Sequence, residues 1–286
     1  MNAAHGACLV AGCGDVGSRA AALLAARGDK VYGLRRSDVP LPAGVLPLRA
    51  DLTDAASLAA LPDDIDRVIF LPTPGHRDEA AYRRLFLQGL RNLLAALDAR
   101  TAVRRVLFAS SSAVYGEHHG DWVDEDTPCH PLAFNGAILL EAERWLALRP
   151  GGVSLRFSGL YGPGRMHLVE QVARGEARIP AGVRQWTNRI HVEDAAAACV
   201  HVLNLPEAQG CYVLSDDAPC GVDEIHSFLA QRLGVPVPPV GAGATARQVG
   251  NKRLRNARLR ASGFEFTYPD FRAGYAALLP FSLQRS

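Results

Sequence analysis

The chain has 286 residues, of which 48% are hydrophobic and 21% charged, the composition of an ordinary globular protein. Its net charge of +2 creates no broad electrostatic field, which argues against nucleic acids and anionic membranes as partners. No apolar run approaches the roughly 18 residues of a membrane-spanning helix, and the N-terminal segment lacks the pattern of a signal peptide. We therefore expect a cytoplasmic protein whose six cysteines stay reduced.

Short apolar runs alternate along the chain with longer segments rich in alanine and leucine. The runs predict buried strands at residues 7–11, 30–34, 67–71, 105–109, 153–157 and 211–214. The longer segments predict helices at residues 16–27, 55–61, 80–99, 136–148 and 193–205. Strands separated by helices favour an α/β protein with a doubly wound parallel sheet, whose ligands bind beyond the carboxyl ends of the strands.

A GxGxxG pattern lies between the first predicted strand and the first predicted helix. Gly12 suits a tight turn, Gly14 lets a pyrophosphate approach the backbone, and Gly17 lets the helix pack closely on the strand. The helix N-terminus offers unpaired N–H groups to phosphate. A merely glycine-rich turn is the alternative, but the context favours a dinucleotide site. The residues predicted to form this loop are Gly12, Cys13, Gly14, Asp15, Val16 and Gly17.

The end of the second strand indicates which dinucleotide is bound. An acidic residue there would bind the ribose of NAD, whereas this chain has Arg35 and Arg36, which suit a 2′-phosphate. We therefore predict NADP as the cofactor, with NAD less favoured, although two solvated arginines are the alternative. Residues that follow other strands are expected along the same cofactor: Asp51, Leu52, Leu71, Pro72 and Ser110. The stretch after Asp51 could equally cap the helix at 55–61, through Thr53 or Asp54.

Several segments in one order resemble the extended short-chain dehydrogenase/reductase superfamily, in its NAD-dependent epimerase/dehydratase branch. Besides the glycine loop they are residues 51–54 (DLTD), 110–116 (SSSAVYG), 156–165 (RFSGLYGPGR) and 189–194 (RIHVED). The resemblance implies a Rossmann-type domain formed by residues 1–162 and 188–217. It also implies a smaller C-terminal substrate lobe, residues 163–187 and 218–286, which often covers a nucleotide-activated sugar. A homodimer through the helices at 80–99 and 136–148 is implied as well.

The resemblance places Ser111 against the reacting oxygen of the substrate. It also implies a catalytic tyrosine followed four residues later by lysine, but here those positions hold Asn135 and Leu139. The chain contains only two lysines, Lys30 and Lys252, so the usual Tyr–Lys pair is absent. Two tyrosines are weighed as replacements, Tyr115 and, with less support, Tyr161.

Other polar residues extend the expected site. Ser112, Arg165, Trp186 and Asn188 are predicted near the substrate. Glu193 or Asp194 is expected to cap the helix at 193–205, with His191 in a structural role. The basic segment 251–260 meets either an anionic substrate group or solvent. We expect no metal, because His118 and His119 lack the spacing of a metal site.

Two functions remain open at this stage. The first is an NADP-dependent oxidoreductase or epimerase-like enzyme that acts on a hydroxyl or carbonyl carbon, with Ser111 polarising the oxygen. The second is a dinucleotide-binding sensor without catalysis, whose cofactor site controls a partner. The retained Ser111 favours the enzyme, whereas Asn135 and Leu139 favour the sensor.

Overall fold

The computed structural model describes residues 6–208, 210–241 and 250–279, so the outer limits of the predicted domains, at residues 1 and 286, lie outside the described residues. A seven-stranded sheet forms its centre, and all neighbouring strands run parallel. This confirms the predicted α/β class. The sheet strands are β1 (Ala7–Ala11), β2 (Val31–Arg35), β3 (Val45–Arg49), β4 (Ile65–Phe70), β5 (Arg105–Ser111), β7 (Gly152–Phe157) and β11 (Cys211–Leu214).

The strand order is β11-β7-β5-β4-β1-β2-β3. The chain moves outward from β1 through β2 to β3, and then crosses back to β4 on the other side of β1. This reversal opens a crevice at the carboxyl ends of β1 and β4, where open parallel sheets bind ligands. The glycine loop that follows β1 therefore lies at the reversal.

Helices cover both faces of the sheet, and the predicted helical segments at 16–27, 80–99, 136–148 and 193–205 are confirmed to within a few residues. The predicted helix at 55–61 is a short 3₁₀ turn, Ala55–Leu58, and the helices at residues 167–173 and 222–233 were not predicted. The predicted helix at 80–99 is interrupted in its middle by a π-helical stretch, Arg83–Gly89. The α-helices are α1 (Asp15–Ala26), α2 (Glu79–Tyr82), α3 (Leu90–Asp98), α4 (Phe134–Leu146), α5 (His167–Ala173), α6 (Val192–Asn204), α7 (Val222–Leu233), α8 (Ala257–Ala261) and α9 (Phe271–Leu278).

Three apolar clusters hold these layers together. One lies between the sheet and the face that carries α3 and α4, and includes Leu93 and Ile138. A second lies on the opposite face, where alanines let α1 and α6 pack closely. The third, which includes Val169, Leu229 and Phe271, lies among α5, α7 and α9, outside the main sheet. No described helix is long and apolar enough to span a bilayer.

Short strand pairs connect the third cluster to the sheet. They bring distant segments of the chain to the carboxyl edge of the sheet, next to the crevice. The pairs are β8 (Gly159–Tyr161) with β10 (Arg189–His191), β9 (Trp186–Thr187) with β12 (Cys220–Gly221), and β6 (Trp122–Val123) with β13 (Arg253–Leu254). The six cysteines are all free thiols.

Candidate functional site

A single cleft of about 1390 Å³ runs along the carboxyl edge of the sheet. It extends from the end of β2, past the glycine loop, to the segments that approach from the third cluster. Eighteen of the residues predicted for the site line its wall, namely Gly12, Cys13, Gly14, Asp15, Val16, Gly17, Arg35, Arg36, Asp51, Leu52, Leu71, Pro72, Ser110, Ser111, Ser112, Arg165, Trp186 and Asn188.

The three glycines of the loop have the separate roles that the sequence predicts. Gly12 has a φ of +92°, and a Cβ there would lie 2.5 Å from the backbone of Pro72. A Cβ on Gly17 would lie 2.5 Å from the carbonyl oxygen of Gly12, so close packing of α1 requires glycine. A Cβ on Gly14 would meet only one atom, the oxygen of Gly12, at 4.0 Å. The space beside Gly14 is therefore open toward the cleft.

The N-terminus of α1 faces this open space. Gly14 is its N-cap and supplies no capping side chain, so the helix dipole and the N–H groups of the first turn are available to an anion. Asp15, in that turn, accepts hydrogen bonds from Arg19 Nε at 3.1 Å and from Arg165 Nε at 2.7 Å. Burial opposes ionisation of Asp15, but these two guanidinium groups outweigh it and lower its pKa.

The end of the cleft beside β2 is basic. Arg36 is exposed, Arg35 is half-buried, and neither forms an ion pair or a side-chain hydrogen bond with another described residue. The nearby carboxylate of Asp51 is already engaged, since it accepts the N–H of Thr53 at 2.9 Å and its hydroxyl at 2.8 Å. Asp54, one of the two predicted caps, caps the following short helix. Two guanidinium groups thus remain available for an anion.

Serine hydroxyls line the middle of the cleft, after β5 and β7. The Ser111 hydroxyl accepts the N–H of Ala113 at 3.2 Å and caps the helical turn Ser112–Val114. The hydroxyls of Ser110 and Ser158 are buried and have no hydrogen-bond partner among the described residues. Because an unpaired buried hydroxyl is costly, both are suited to a polar group of a ligand.

Tyr115 and Asn135 are not among the described residues that line the cleft wall. The Tyr115 side chain is fully buried, and its hydroxyl accepts a hydrogen bond from Arg156 Nη1 at 3.0 Å. Arg156 in turn forms an ion pair of 2.8 Å with the buried Glu143. Burial raises the pKa of Tyr115. The turn after Ser111 therefore directs this ring into the core.

Tyr161, the second tyrosine considered, is also buried away from the cleft wall. Its hydroxyl donates to the carbonyl oxygen of Asp270 at 3.3 Å, and its ring stacks on Tyr275 at 4.5 Å. Burial raises its pKa. It stabilises the third apolar cluster and is not placed to donate a proton in the cleft.

The cap of α6 differs from the prediction. His191 is the N-cap, and its Nδ1 accepts the N–H of Glu193 at 3.3 Å. The carboxylate of Asp194 instead accepts the N–H groups of Thr267 and Tyr268, at 2.8 and 2.9 Å. Asp194 is buried, and it secures the chain leading to α9 rather than its own helix.

Two residues near the far end of the cleft hold the incoming segments. The Asn188 amide donates to the carbonyl of Lys252 at 3.0 Å and accepts the N–H of Leu254 at 2.7 Å. The Trp186 ring lies between the guanidinium groups of Arg184 and Arg253, at 4.5 and 4.8 Å. Trp186 and Asn188 thus fix the shape of this end of the cleft.

Sequence reasoning missed several residues of the wall, above all Lys252. This side chain is 2% exposed, lines the cleft and donates from Nζ to the carbonyl oxygen of Gly116 at 3.2 Å. The basic segment 251–260 therefore meets both environments. Asn251 and Lys252 are buried, whereas Arg255 is exposed to solvent. The rarity of lysine in this chain is the only sequence signal that marks Lys252. Among the described residues no cluster of side chains suits a metal ion.

Comparisons with known proteins agree with this geometry. A model of the NAD-dependent epimerase/dehydratase family matches residues 8–214. The chain is 30% identical over 275 residues to Protein YeeZ of Escherichia coli K12, covering 91% of this chain and 96% of that protein. It is also 30% identical over 304 residues to a 3-diazoavenalumate denitrifying reductase of a Streptomyces species, covering 93% and 98%.

Solved structures are similar to this chain over nearly its whole length. A candidate NAD-dependent epimerase/dehydratase from Methylobacillus flagellatus has a TM-score of 0.79 at 40% identity, covering 96% of this chain and 98% of that one. MoeE5, solved in complex with UDP-glucose and NAD, has a TM-score of 0.79 at 27% identity, again covering 96% and 98%.

Proposed function

Because the chain belongs to the NAD-dependent epimerase/dehydratase family, we propose that it is an NADP-dependent enzyme acting on a carbonyl or hydroxyl carbon of a small molecule. One observation carries the proposal. A continuous cleft joins the glycine loop to Ser111 and then to Asn188 and Lys252 at its far end. Its volume of about 1390 Å³ exceeds the roughly 300–1,000 Å³ of a single ligand pocket, which leaves room for a cofactor and a substrate together.

The cofactor fits the residues that the cleft presents. The open space beside Gly14 and the N-terminus of α1 would hold the pyrophosphate. Arg35 and Arg36 would hold the 2′-phosphate, which favours NADP over NAD. When bound, the nicotinamide supplies hydride transfer. The unpaired hydroxyls of Ser110 and Ser158 would receive polar groups at the nicotinamide end.

Ser111 is the residue that would polarise the substrate oxygen. Its oxygen accepts the N–H of Ala113, so the hydroxyl proton is left to donate toward the cleft. Such a donor strengthens its hydrogen bond as negative charge develops on the oxygen, and therefore favours the transition state. Ser112 and Arg165, also in the wall, would contact the rest of the substrate.

The substrate class that we propose is a carbonyl or hydroxyl compound carrying an anionic group, with nucleotide sugars as the leading example. MoeE5, 27% identical to this chain, was solved with UDP-glucose. The Streptomyces relative is a reductase, which favours net hydride transfer as the reaction type. The cleft also presents cationic side chains, with Lys252 at its far end and Arg165 beside the first turn of α1.

Binding and turnover measurements test this proposal. We expect NADPH to bind more tightly than NADH in fluorescence titrations, and NADPH to be oxidised with at least one member of a panel of carbonyl compounds and UDP-sugars. Ser111→Ala should lower kcat at least 100-fold, the range for loss of one oxyanion donor, with an unchanged Kd for NADPH. Ser227→Ala on α7, outside the cleft wall, is the matched control.

A non-catalytic sensor is the second candidate, favoured by Asn135 and Leu139 on α4. Leu139 lines the cleft where the resemblance calls for lysine, so an apolar side chain faces that part of the site. Tight NADPH binding combined with no turnover on every panel member would support the sensor and reject the enzyme. Absence of binding by either nucleotide would reject both.

Three broader expectations complete the proposal. We propose that residues 1–162 and 188–217 form the cofactor domain, and that residues 163–187 and 218–286 form the substrate lobe. We also propose a cytoplasmic homodimer, assembled through the helical segments at 80–99 and 136–148. Light scattering of the purified protein tests the dimer, and a monomer mass at micromolar concentration would reject it.

A further inference from the structure

We propose that Lys252 is the proton donor to the substrate oxygen in this cleft, in place of the tyrosine that is absent at position 135. The inference rests on the proposed function, since it assigns a residue to the reaction proposed above. It is carried by the position of this side chain, which the sequence places 117 residues beyond Asn135 and the fold brings into the cleft wall.

Lys252 reaches the cleft next to the loop that carries Ser111. Its Nζ donates to the carbonyl of Gly116, and Gly116 follows the helical turn that Ser111 caps. The lysine and the serine therefore belong to the wall of one cavity and are linked through five residues of one loop. A substrate oxygen held by Ser111 lies on the side of the cleft that this loop forms.

Three constraints hold the lysine there. Asn188 binds the Lys252 carbonyl through its amide, and β13 pairs with β6 directly after Lys252. Gly250, at a φ of +74°, approaches the carbonyl of Gly116 so closely that a Cβ would overlap it. The backbone that carries Lys252 is thus held by contacts of Gly250 before it, of its own carbonyl and of β13 after it.

The charge environment suits proton transfer near neutral pH. Burial lowers the pKa of Lys252 to about 8, and the neighbouring Glu117 only partly opposes this effect. The Glu117 carboxylate is itself engaged by the N–H groups of His118, His119 and Asn251, at 3.1, 2.6 and 3.0 Å. A general acid works best when its pKa lies near the working pH.

The charged or titratable groups on the segments packed around Lys252 are Glu117, His118, His119, Asp121, Arg184 and Arg253.

Other proton-bearing side chains of the wall are less suited. Tyr275 is buried and stacks on Tyr161 at 4.5 Å, and burial raises its pKa. Asp15 and Asp51 are held in hydrogen bonds near the glycine loop and β3. His76 and His167 are exposed. Tyr82 is half-buried and packs edge-on against Phe134 at 5.4 Å, so it serves as a comparison in the test below. Among the described residues of the wall, Lys252 combines burial with a pKa near neutrality.

In the direction of reduction, a bound reduced nicotinamide would supply hydride to the carbonyl carbon of the substrate, and the π electron pair of the C=O bond would move onto oxygen. That oxygen takes a proton from the Lys252 ammonium and becomes a hydroxyl. The cofactor is left oxidised, Lys252 is left as a neutral amine, and water returns its proton.

Proton release on cofactor binding tests the position of Lys252 without turnover. The oxidised nicotinamide ring is cationic and the reduced ring is neutral. At an effective dielectric constant of about 20, a charge within about 12 Å shifts a pKa by at least about one unit. Calorimetry at pH 8 in buffers of different ionisation enthalpy should therefore show NADP⁺ releasing about 0.4 proton more than NADPH. The 2′-phosphate is common to both ligands and cancels.

The variants decide which residue releases the proton. Lys252→Met should abolish the difference between NADP⁺ and NADPH, and so should Lys252→Arg, which keeps the charge but does not titrate. Lys30→Met, which removes the exposed lysine beside Asp64, and Tyr82→Phe should both retain the difference. A difference that persists in both Lys252 variants would overturn the inference, as would its absence from the native protein despite binding. No heat with either nucleotide would overturn the proposed function as well.

Turnover gives a second readout with any substrate that the panel identifies. Because the donor must carry its proton, kcat for reduction should fall as pH rises above about 8. In Lys252→Arg that fall should disappear and kcat should drop at least 100-fold, with little change in KM. An unchanged pH profile in Lys252→Arg would reject Lys252 as the donor.

Discussion

Arg165 donates from Nε to Asp15 over 2.7 Å, although the two residues are 150 positions apart in the chain. The contact ties the loop after β8 to the first turn of α1, beside the space open to a pyrophosphate. Arg19 donates to the same carboxylate and also to Glu193 at the start of α6. The position of the substrate loop is thereby coupled to the cofactor end of the cleft.

This ion pair predicts a coupling between two substitutions. Arg165→Gln leaves the Asp15 charge less compensated beside the pyrophosphate, so NADPH should bind about two- to fivefold more weakly, the range for a part-exposed ion pair. Asp15→Asn in the same protein should restore the affinity. Fluorescence titration of both proteins measures this. Arg174→Gln, which breaks the exposed ion pairs of Arg174 with Glu170 and Glu176, is the control. Additive losses in the double variant would contradict the coupling.

The glycine loop predicts that two alanine substitutions act differently. Gly14→Ala places its methyl group in open space, so the free energy of unfolding should change by less than about 1 kcal/mol. NADPH affinity should nevertheless fall at least tenfold, because the methyl group occupies the pyrophosphate position. Gly17→Ala forces a carbon against the Gly12 carbonyl and should cost about 1–3 kcal/mol of stability. Urea unfolding and NADPH titration together check both outcomes.

The paired arginines predict the cofactor preference. Arg35→Gln combined with Arg36→Gln should weaken NADPH at least tenfold, since each charge-assisted bond contributes about 1.5–3 kcal/mol. NADH affinity should change less than about twofold, because NADH lacks the 2′-phosphate. Arg49→Gln is the matched control, since Arg49 pairs with Arg35 across β2 and β3 but lies outside the cleft wall. Equal affinity for both nucleotides in the native protein would contradict the NADP preference.

The buried ion pair behind Ser111 predicts a large loss of stability. Arg156→Met leaves the Glu143 carboxylate buried without its partner and frees the Tyr115 hydroxyl, so unfolding should become easier by about 3–5 kcal/mol. Arg83→Met removes a half-exposed partner of Glu141 on the same helix and should change the free energy of unfolding far less. Urea denaturation compares the two. Similar losses in both would mean that burial does not control the energy of the Arg156 contact.

Because Asp216 is buried, we expect the free energy of unfolding to fall as pH rises. Its carboxyl is 1% exposed, and burial raises its pKa to about 8. The native state therefore binds a proton that the unfolded state releases near pH 4, and stability decreases as pH rises toward 8. Burial lowers the pKa of His226 to about 4. His226 therefore increases the free energy of unfolding as pH rises, but only up to about pH 6.5, where the histidine of the unfolded state has also lost its proton. Between pH 6.5 and 8 the free energy of unfolding should fall by about 1–2 kcal/mol, and Asp216→Asn should remove that fall.

The local units of this protein were predictable from sequence. The turn after β1, the helix α1 and the strand β2 form one contiguous segment, and the spacing of Gly12, Gly14 and Gly17 determines its shape. The family resemblance likewise located the serines after β5 and the segment that carries Arg165. These residues follow directly on strands of the parallel sheet, so knowing the strands was enough to place them at one edge.

The roles of side chains whose partners are distant in the sequence were not predictable in the same way. Tyr115 follows the serines closely in sequence, yet the partner of its hydroxyl is Arg156, 41 residues away, and this contact draws the ring into the core. His191 caps α6 because Asp194 is occupied by the backbone at residues 267 and 268. In each case the side chain forms its hydrogen bonds with a segment distant in the sequence. The local sequence pattern does not indicate such a contact.

The sequence by itself determined the α/β class, the glycine loop and the basic end of the cleft, because each depends on residues close together along the chain. It also shows that no tyrosine of this chain is followed four residues later by lysine. Only the tertiary structure decided that Lys252 enters the cleft wall and that Arg165 reaches Asp15. The first outcome depends on the β6–β13 pairing and the second on the loop after β8, and each brings together residues more than 100 positions apart.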